Sequence, residues 1–210
     1  MFRHILAYLR RLFFGRDDRP GRSRKANQRA LPGEKRVKGS SGLRALTPAS
    51  RQRGNGVSTA FEQLVAHFDK HELHYEQHPE LQTLLAVFSC DVGPCRLAAR
   101  VTPEGDLFQV FGEAPLKVPE GCRPSVAETI ARANCGMRVG KFELNLDDGE
   151  LHFQAYHILQ EGNLSEEVIR RLIGTTLAML DRYVPAVLSV IYGNELPKDA
   201  ISHVETDLER

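Results

Sequence analysis

The stretch VGKFELNLDDGELHFQAYHIL, residues 139–159, decides the fold class. Two runs, Val139–Leu146 and Glu150–Leu159, flank Asp147–Asp148–Gly149. An Asp-Gly pair between such runs is a strong hairpin signal, because glycine accepts the positive φ that a tight turn demands. Phe142, Leu144 and Leu146 alternate with Lys141, Glu143 and Asn145. That period of two predicts a strand with one buried and one wet face.

Working outward, Gly162–Asn163 break the second strand and Ser165 caps a long helix carrying Ile169, Leu172, Ile173, Leu177, Leu180 and Val184. Pro185 is expected to kink or end it, since proline lacks an amide hydrogen and crowds the preceding turn. Val187–Tyr192 continue the apolar pattern to Gly193, and residues 194–210 read as a polar, acidic tail. Before the hairpin, Ser125 and Glu128 read as a capping box for a short helix through Val126, Ile130 and Ala133. Residues 115–124 read as a connector. Four strand segments precede it, at 73–78, Thr83–Cys90, Arg96–Thr102 and Leu107–Phe111. Thr59 and Glu62 form another capping box, opening a first helix through Phe61, Leu64, Val65 and Phe68. The order predicts an α+β domain over residues 57–193: an antiparallel sheet of about five strands, with helices packed on one face.

Charge divides the chain more sharply than hydropathy does. Of its 28 Lys and Arg, 15 lie within residues 1–53, against Asp17, Asp18 and Glu34. The rest holds 13 basic and 24 acidic residues, so the net +1 hides a basic arm and an acidic domain. In FRHILAYLRRLFF, residues 2–14, Phe2, Ile5, Leu6, Leu9, Leu12 and Phe13 recur at helical spacing. With Arg10 and Arg11 beside that stripe, residues 1–15 are a candidate membrane-surface helix, apolar side chains among acyl chains and arginines on anionic headgroups. Packing against a protein and a cleaved targeting peptide are the rival readings. A twin-arginine export signal is rejected, because its apolar centre would follow Arg10–Arg11 and GRDDRPGRSRK stands there instead. Residues 16–56 are too poor in large apolar side chains to offset ordering entropy and are expected to form a disordered basic linker. No aromatic residue interrupts them, so contact with nucleic acid would be electrostatic and non-specific.

No catalytic signature stands out: there is no GxSxG, no phosphate-binding loop and no placed GxGxxG. His67, His71, His74 and His78 are closely spaced, and His67 and His71 sit one helical turn apart, a spacing that can grip a metal. Without an HExxH motif, the preferred reading is exposed helix-end histidines, and no metal is expected. Cys90, Cys95, Cys122 and Cys135 lack the two close pairs of a zinc ribbon and read as free thiols of a reducing compartment. Asp147, Asp148 and Glu150 are assigned to turn chemistry rather than to calcium. No run reaches the length of a membrane span.

One further signal is a resemblance. The segment RANCGMRVGKFEL, the DDGELHF hairpin, the EG-x-LS-x-E helix entry and the DRY-x-P motif resemble the YbjN family, described as putative bacterial sensory transduction regulators. The match is dense over residues 126–193; residues 57–125 agree in element order. The resemblance implies a fold like that of type III secretion chaperones, no enzymatic activity, no cofactor, and a module that binds a protein partner and pairs with itself as a homodimer. It transfers no active-site residue. Exposed sheet edges and the last helix are the expected contact surfaces, with Leu180, Tyr183, Val187, Leu188 and Ile191 as candidates that core packing would explain equally well. The expected location is the cytoplasm, peripheral at the inner membrane face if the arm binds lipid.

Overall fold

The computed structural model describes residues 59–206. The candidate membrane helix (Phe2, Ile5, Leu6, Leu9, Arg10, Arg11, Leu12, Phe13) and the basic linker lie outside the described residues.

Helix α1 (Ala60–Lys70) opens on the expected capping box: the Thr59 hydroxyl accepts from the Glu62 amide, and the Glu62 carboxylate accepts from the Thr59 amide. Six strands follow in sequence: β1 (Tyr75–His78), β2 (Thr83–Cys90), β3 (Gly93–Val101), β4 (Leu107–Lys117), β5 (Lys141–Leu144) and β6 (Glu150–Ile158). All neighbours pair antiparallel, in the order β1-β2-β3-β4-β6-β5. Three further helices complete the fold: α2 (Arg123–Asn134), α3 (Glu166–Tyr192) and α4 (Pro197–Thr206).

The sheet therefore has six strands rather than about five, because the piece at 73–78 supplies a true edge strand. Strand β4 also outruns its expected end at Phe111 and takes in Pro115, where the pairing with β6 shifts register between Glu113 and Lys117. A bulge is where a strand tolerates a residue that cannot donate. Helix α2 begins at Arg123 with Pro124 in its first turn, so Ser125 lies inside the helix and is not its cap. Proline's fixed φ suits a first turn and sets the start earlier than the Ser-x-x-Glu pattern suggested. Glu128 instead pairs with Arg132. Helix α3 runs unbroken through Pro185 to Tyr192. Pro185 is exposed, on the side where water can satisfy the carbonyl its ring leaves free. The expected tail contains helix α4, which buries Ala200 and Ile201 in the core.

The core lies on one side of the sheet. Leu84, Ala86, Leu97, Ala99, Val110, Phe153 and Phe142 share that face through their cross-strand pairings, and helical residues Leu64, Phe68, Val126, Ile169, Leu180, Val184 and Ile201 close over them. At Gly112 a Cβ would stand 2.5 Å from Thr176 Cγ2 and 2.8 Å from Leu180 Cδ1. The missing side chain lets α3 lie directly on the middle of β4.

The turn of the hairpin is built as expected, but β5 spans Lys141–Leu144 rather than Val139–Leu146, and Leu146, expected on the buried face, is 59% exposed. Gly149 takes φ +80°, and a Cβ there would come within 2.1 Å of the Val118 carbonyl oxygen. The Asp148 carboxylate accepts from the Glu150 amide and the Asn145 side chain. The Asp148 carboxylate is thus engaged in making the turn.

Candidate protein-binding face

Alternation along each strand sends every second side chain to the sheet's other face. The registers align them in rows across five of the six strands. One row runs Leu85, Ala98, Phe111, Gln154, Lys141; the next runs Val87, Arg96, Glu113, His152, Glu143. The buried apolar residues of the described helices cluster with the opposite face; Leu85, Ala98 and Phe111 stand apart from that cluster, though they too are buried. Val87, Tyr156 and Ile158 are exposed here, Ile158 at 68%.

Two ion pairs on this face run across strands. Arg96 Nη2 lies 2.8 Å from Glu113 Oε1, and His152 Nε2 lies 2.9 Å from Glu143 Oε2, with Lys141 on the other oxygen. The His152 hydrogen bond, ahead of the Lys141 contact, holds the Glu143 carboxyl down at about 2. Burial pushes Glu113 the other way, with Arg96 opposing. The result is an apolar strip beside a row of cross-strand ion pairs.

The edges are less available than expected. At edge strand β5, Asn134 closes a fork on Phe142: its Nδ2 donates to the Phe142 carbonyl at 3.0 Å, and its Oδ1 accepts from the Phe142 amide at 2.7 Å. The backbone groups that an added strand would use there are occupied by the last residue of α2. That gives physical meaning to the asparagine in RANCGMRVGKFEL. Edge β1 is only four residues long.

The residues proposed from sequence on α3 divide in two. Leu180, Tyr183 and Val187 are buried at 0, 5 and 2% exposure, so they belong to the domain's own core and are corrected as contact candidates. They sit on the stripe that faces the sheet, and amphipathic spacing alone does not say what a stripe packs on. Leu188 and Ile191 are half-buried and pack at the margin of the core.

A cavity of about 370 Å³ opens between the end of α2, α3 and α4. Arg138, Arg182, Tyr183 and Glu205 contribute its polar wall, and Met137 and Met179 contribute to its apolar one. The Tyr183 hydroxyl donates to Glu205 at 3.1 Å, and the Arg182 guanidinium stacks 5.0 Å from the Tyr183 ring centre. Arg182 Nε is buried without a hydrogen-bond partner.

The cysteines are all free. Burial pushes the Cys95 thiol up to about 12 and raises Cys90 as well, which makes both poor nucleophiles. The histidines do not all behave as exposed helix-end residues. His67 is buried at 8% exposure, and its imidazole is shifted toward the neutral form by burial, then by His71. Both approach Glu166, the first residue of α3. Sequence reasoning missed Glu166 as their neighbour because it lies 95 residues beyond His71.

No curated protein matches the chain. A crystal structure of YbjN, a putative transcription regulator from E. coli, is similar over 58% of this chain and 85% of that one, at 11% identity and a TM-score of 0.44. Among the described residues no helix is long and apolar enough to cross a membrane. The family model for YbjN, described as putative bacterial sensory transduction regulator, matches residues 61–189, from the first helix to the last turns of α3. That span is more than half of the sequence, and the chain belongs to the YbjN family.

Proposed function

We propose that this chain is a non-enzymatic regulatory module that binds a protein partner on the sheet face its helices leave bare. The observation that carries this reading is the exposure of Val87, Tyr156 and Ile158 on one face, beside a row of cross-strand ion pairs. Apolar side chains bordered by satisfied polar groups match the anatomy of a protein interface. The regulator description of the family supports it. The partner expected is a different protein with an apolar patch; a second copy of this chain is the rival occupant. Tyr156→Asp with Ile158→Asp should abolish retention of the partner from native-cell extract without lowering thermal stability. Retention unchanged by the pair would refute this face. A fall in the sedimentation coefficient of the isolated protein would point to the second copy.

The amphipathic segment 1–15 supports a further proposal, that the module is tethered to anionic membrane at its basic arm. Leu6→Asp with Leu9→Asp should then remove co-sedimentation with phosphatidylglycerol vesicles and leave domain stability unchanged. Unaltered sedimentation would refute the tether.

The cavity beside Arg182 favours a second reading, a small anionic ligand with an apolar body. Screening such compounds by thermal shift, with Arg182→Met as control, separates the two. A ligand lost in that variant but kept in the Tyr156/Ile158 pair belongs to the cavity.

A further inference from the structure

We propose that His67, His71 and Glu166 form a divalent transition-metal site of the zinc type, which fastens the first helix of the domain to the start of its longest one. The site is independent of the protein-binding face, since its three residues lie on α1 and α3.

The geometry is already close to coordination. Glu166 Oε1 lies 3.5 Å from His67 Nδ1 and 3.2 Å from His71 Nε2. The three donor atoms all lie within 4.8 Å of one another. In a tetrahedral zinc site with bonds of about 2.0–2.1 Å, neighbouring donors stand about 3.3–3.4 Å apart. Both contacts to the carboxylate fall near that spacing. The two imidazole nitrogens need only a turn of the His71 ring, which is 47% exposed and free to move.

His67 supplies an independent reason. Its side chain is 7% exposed, and Nδ1 is buried with no hydrogen-bond partner. A buried polar atom left unsatisfied is costly, and proteins seldom keep one without use. Nδ1 stands 3.5 Å from the carboxylate oxygen, a contact that repels whenever the ring nitrogen carries no proton. A cation between the two satisfies both. Two imidazoles and a carboxylate suit zinc, with nickel and copper as chemical competitors.

The surroundings fit a closing role. Lys70 Nζ donates to both Glu166 oxygens, at 2.8 and 3.0 Å, and so neutralises the carboxylate when no metal is bound. Its side chain is 64% exposed and can swing away. The backbone beside the site is held: the Leu164 amide donates to Gln63 Oε1 at 2.7 Å, linking the same two elements. The half-exposed His71 and Glu166 leave the fourth position open to water or to a donor from a partner.

The test is zinc titration of untagged full-length protein by calorimetry, with Co²⁺ as a spectroscopic probe. We expect about one equivalent of tight zinc and visible cobalt bands of a tetrahedral nitrogen–oxygen site. His71→Ala and Glu166→Gln, both at exposed positions, should each weaken binding about tenfold or more. Lys70→Gln should strengthen it by removing the competing ammonium. Zinc should raise the Tm of the natural protein and raise that of Glu166→Gln by less at the same zinc concentration. Binding unchanged in both ligand variants, a thiolate charge-transfer band, or no zinc uptake at micromolar concentration would each overturn the proposal.

Discussion

The two faces of one sheet are built from the same strands and differ in almost every other respect. On the helix-covered face, side chains are apolar, closely interlocked, and short where α3 presses in at Gly112. On the other face a narrow, buried apolar strip of Leu85, Ala98 and Phe111 runs beside ion pairs, and Val87, Tyr156 and Ile158 elsewhere on that face are exposed. The contrast teaches where to look for function. The first face is fully employed in holding the fold, so a change there is read as stability. The second stands apart from the main core cluster and keeps Val87, Tyr156 and Ile158 in solvent, so a change at those three is read as recognition under the proposal.

The largest effect should come from the covered face. Phe153 is fully buried, packed edge-on at 5.0 Å from Phe142. Phe153→Ala should cost about 3–5 kcal/mol in denaturant unfolding, through lost transfer energy and the cavity left behind. A loss below about 1 kcal/mol would mean that the interlocking is looser than described. Gly112→Ala should cost less, about 1–3 kcal/mol, as Thr176 and Leu180 give way to the new methyl group. A neutral result would show that α3 can lift from β4 without strain.

On the bare face the pair Glu143–His152 should act through pH. The Glu143 carboxyl sits at about 2 in the folded protein, below its ordinary 4.5. A depressed folded pKa gives stability that is present above about pH 4.5 and lost as pH falls toward 2. Being partly solvated, the pair should contribute about 0.5–1 kcal/mol at neutral pH. His152→Ala should therefore lower stability at pH 6 and flatten the acid limb between pH 4.5 and 2. Equal acid slopes in the two proteins would contradict the assigned role of His152. Smallest of all, Tyr156→Ala should move stability by less than about 0.5 kcal/mol, since the ring is 55% exposed.

Much of this fold was legible in local chemistry. Thr59 and Glu62, Ser165, and the Asp148–Gly149 turn fix their backbones through contacts a few residues away, so the sequence displays them directly. Where a second element decides the outcome, the pattern misleads. The α3 stripe predicted an apolar surface without saying that the sheet covers Leu180, Tyr183 and Val187. Ile201 looked like tail until the core was seen to need it. The bare face was hidden for the same reason. Val87, Arg96, Glu113, His152 and Glu143 come from five separate strands, and only the register of β2, β3, β4, β6 and β5 sets them in a row. The family resemblance reached the fold, and it carried no residue of either candidate surface.

The central claim is that the bare face, and not the helical one, meets the partner. The direct measurement is photo-crosslinking in the native cell, with a photoreactive residue placed at position 156 in one protein and at exposed position 170 on α3 in another. The account predicts a discrete crosslinked protein from position 156 and none from position 170. A crosslink from position 170 alone would contradict it, and would move recognition to the helices.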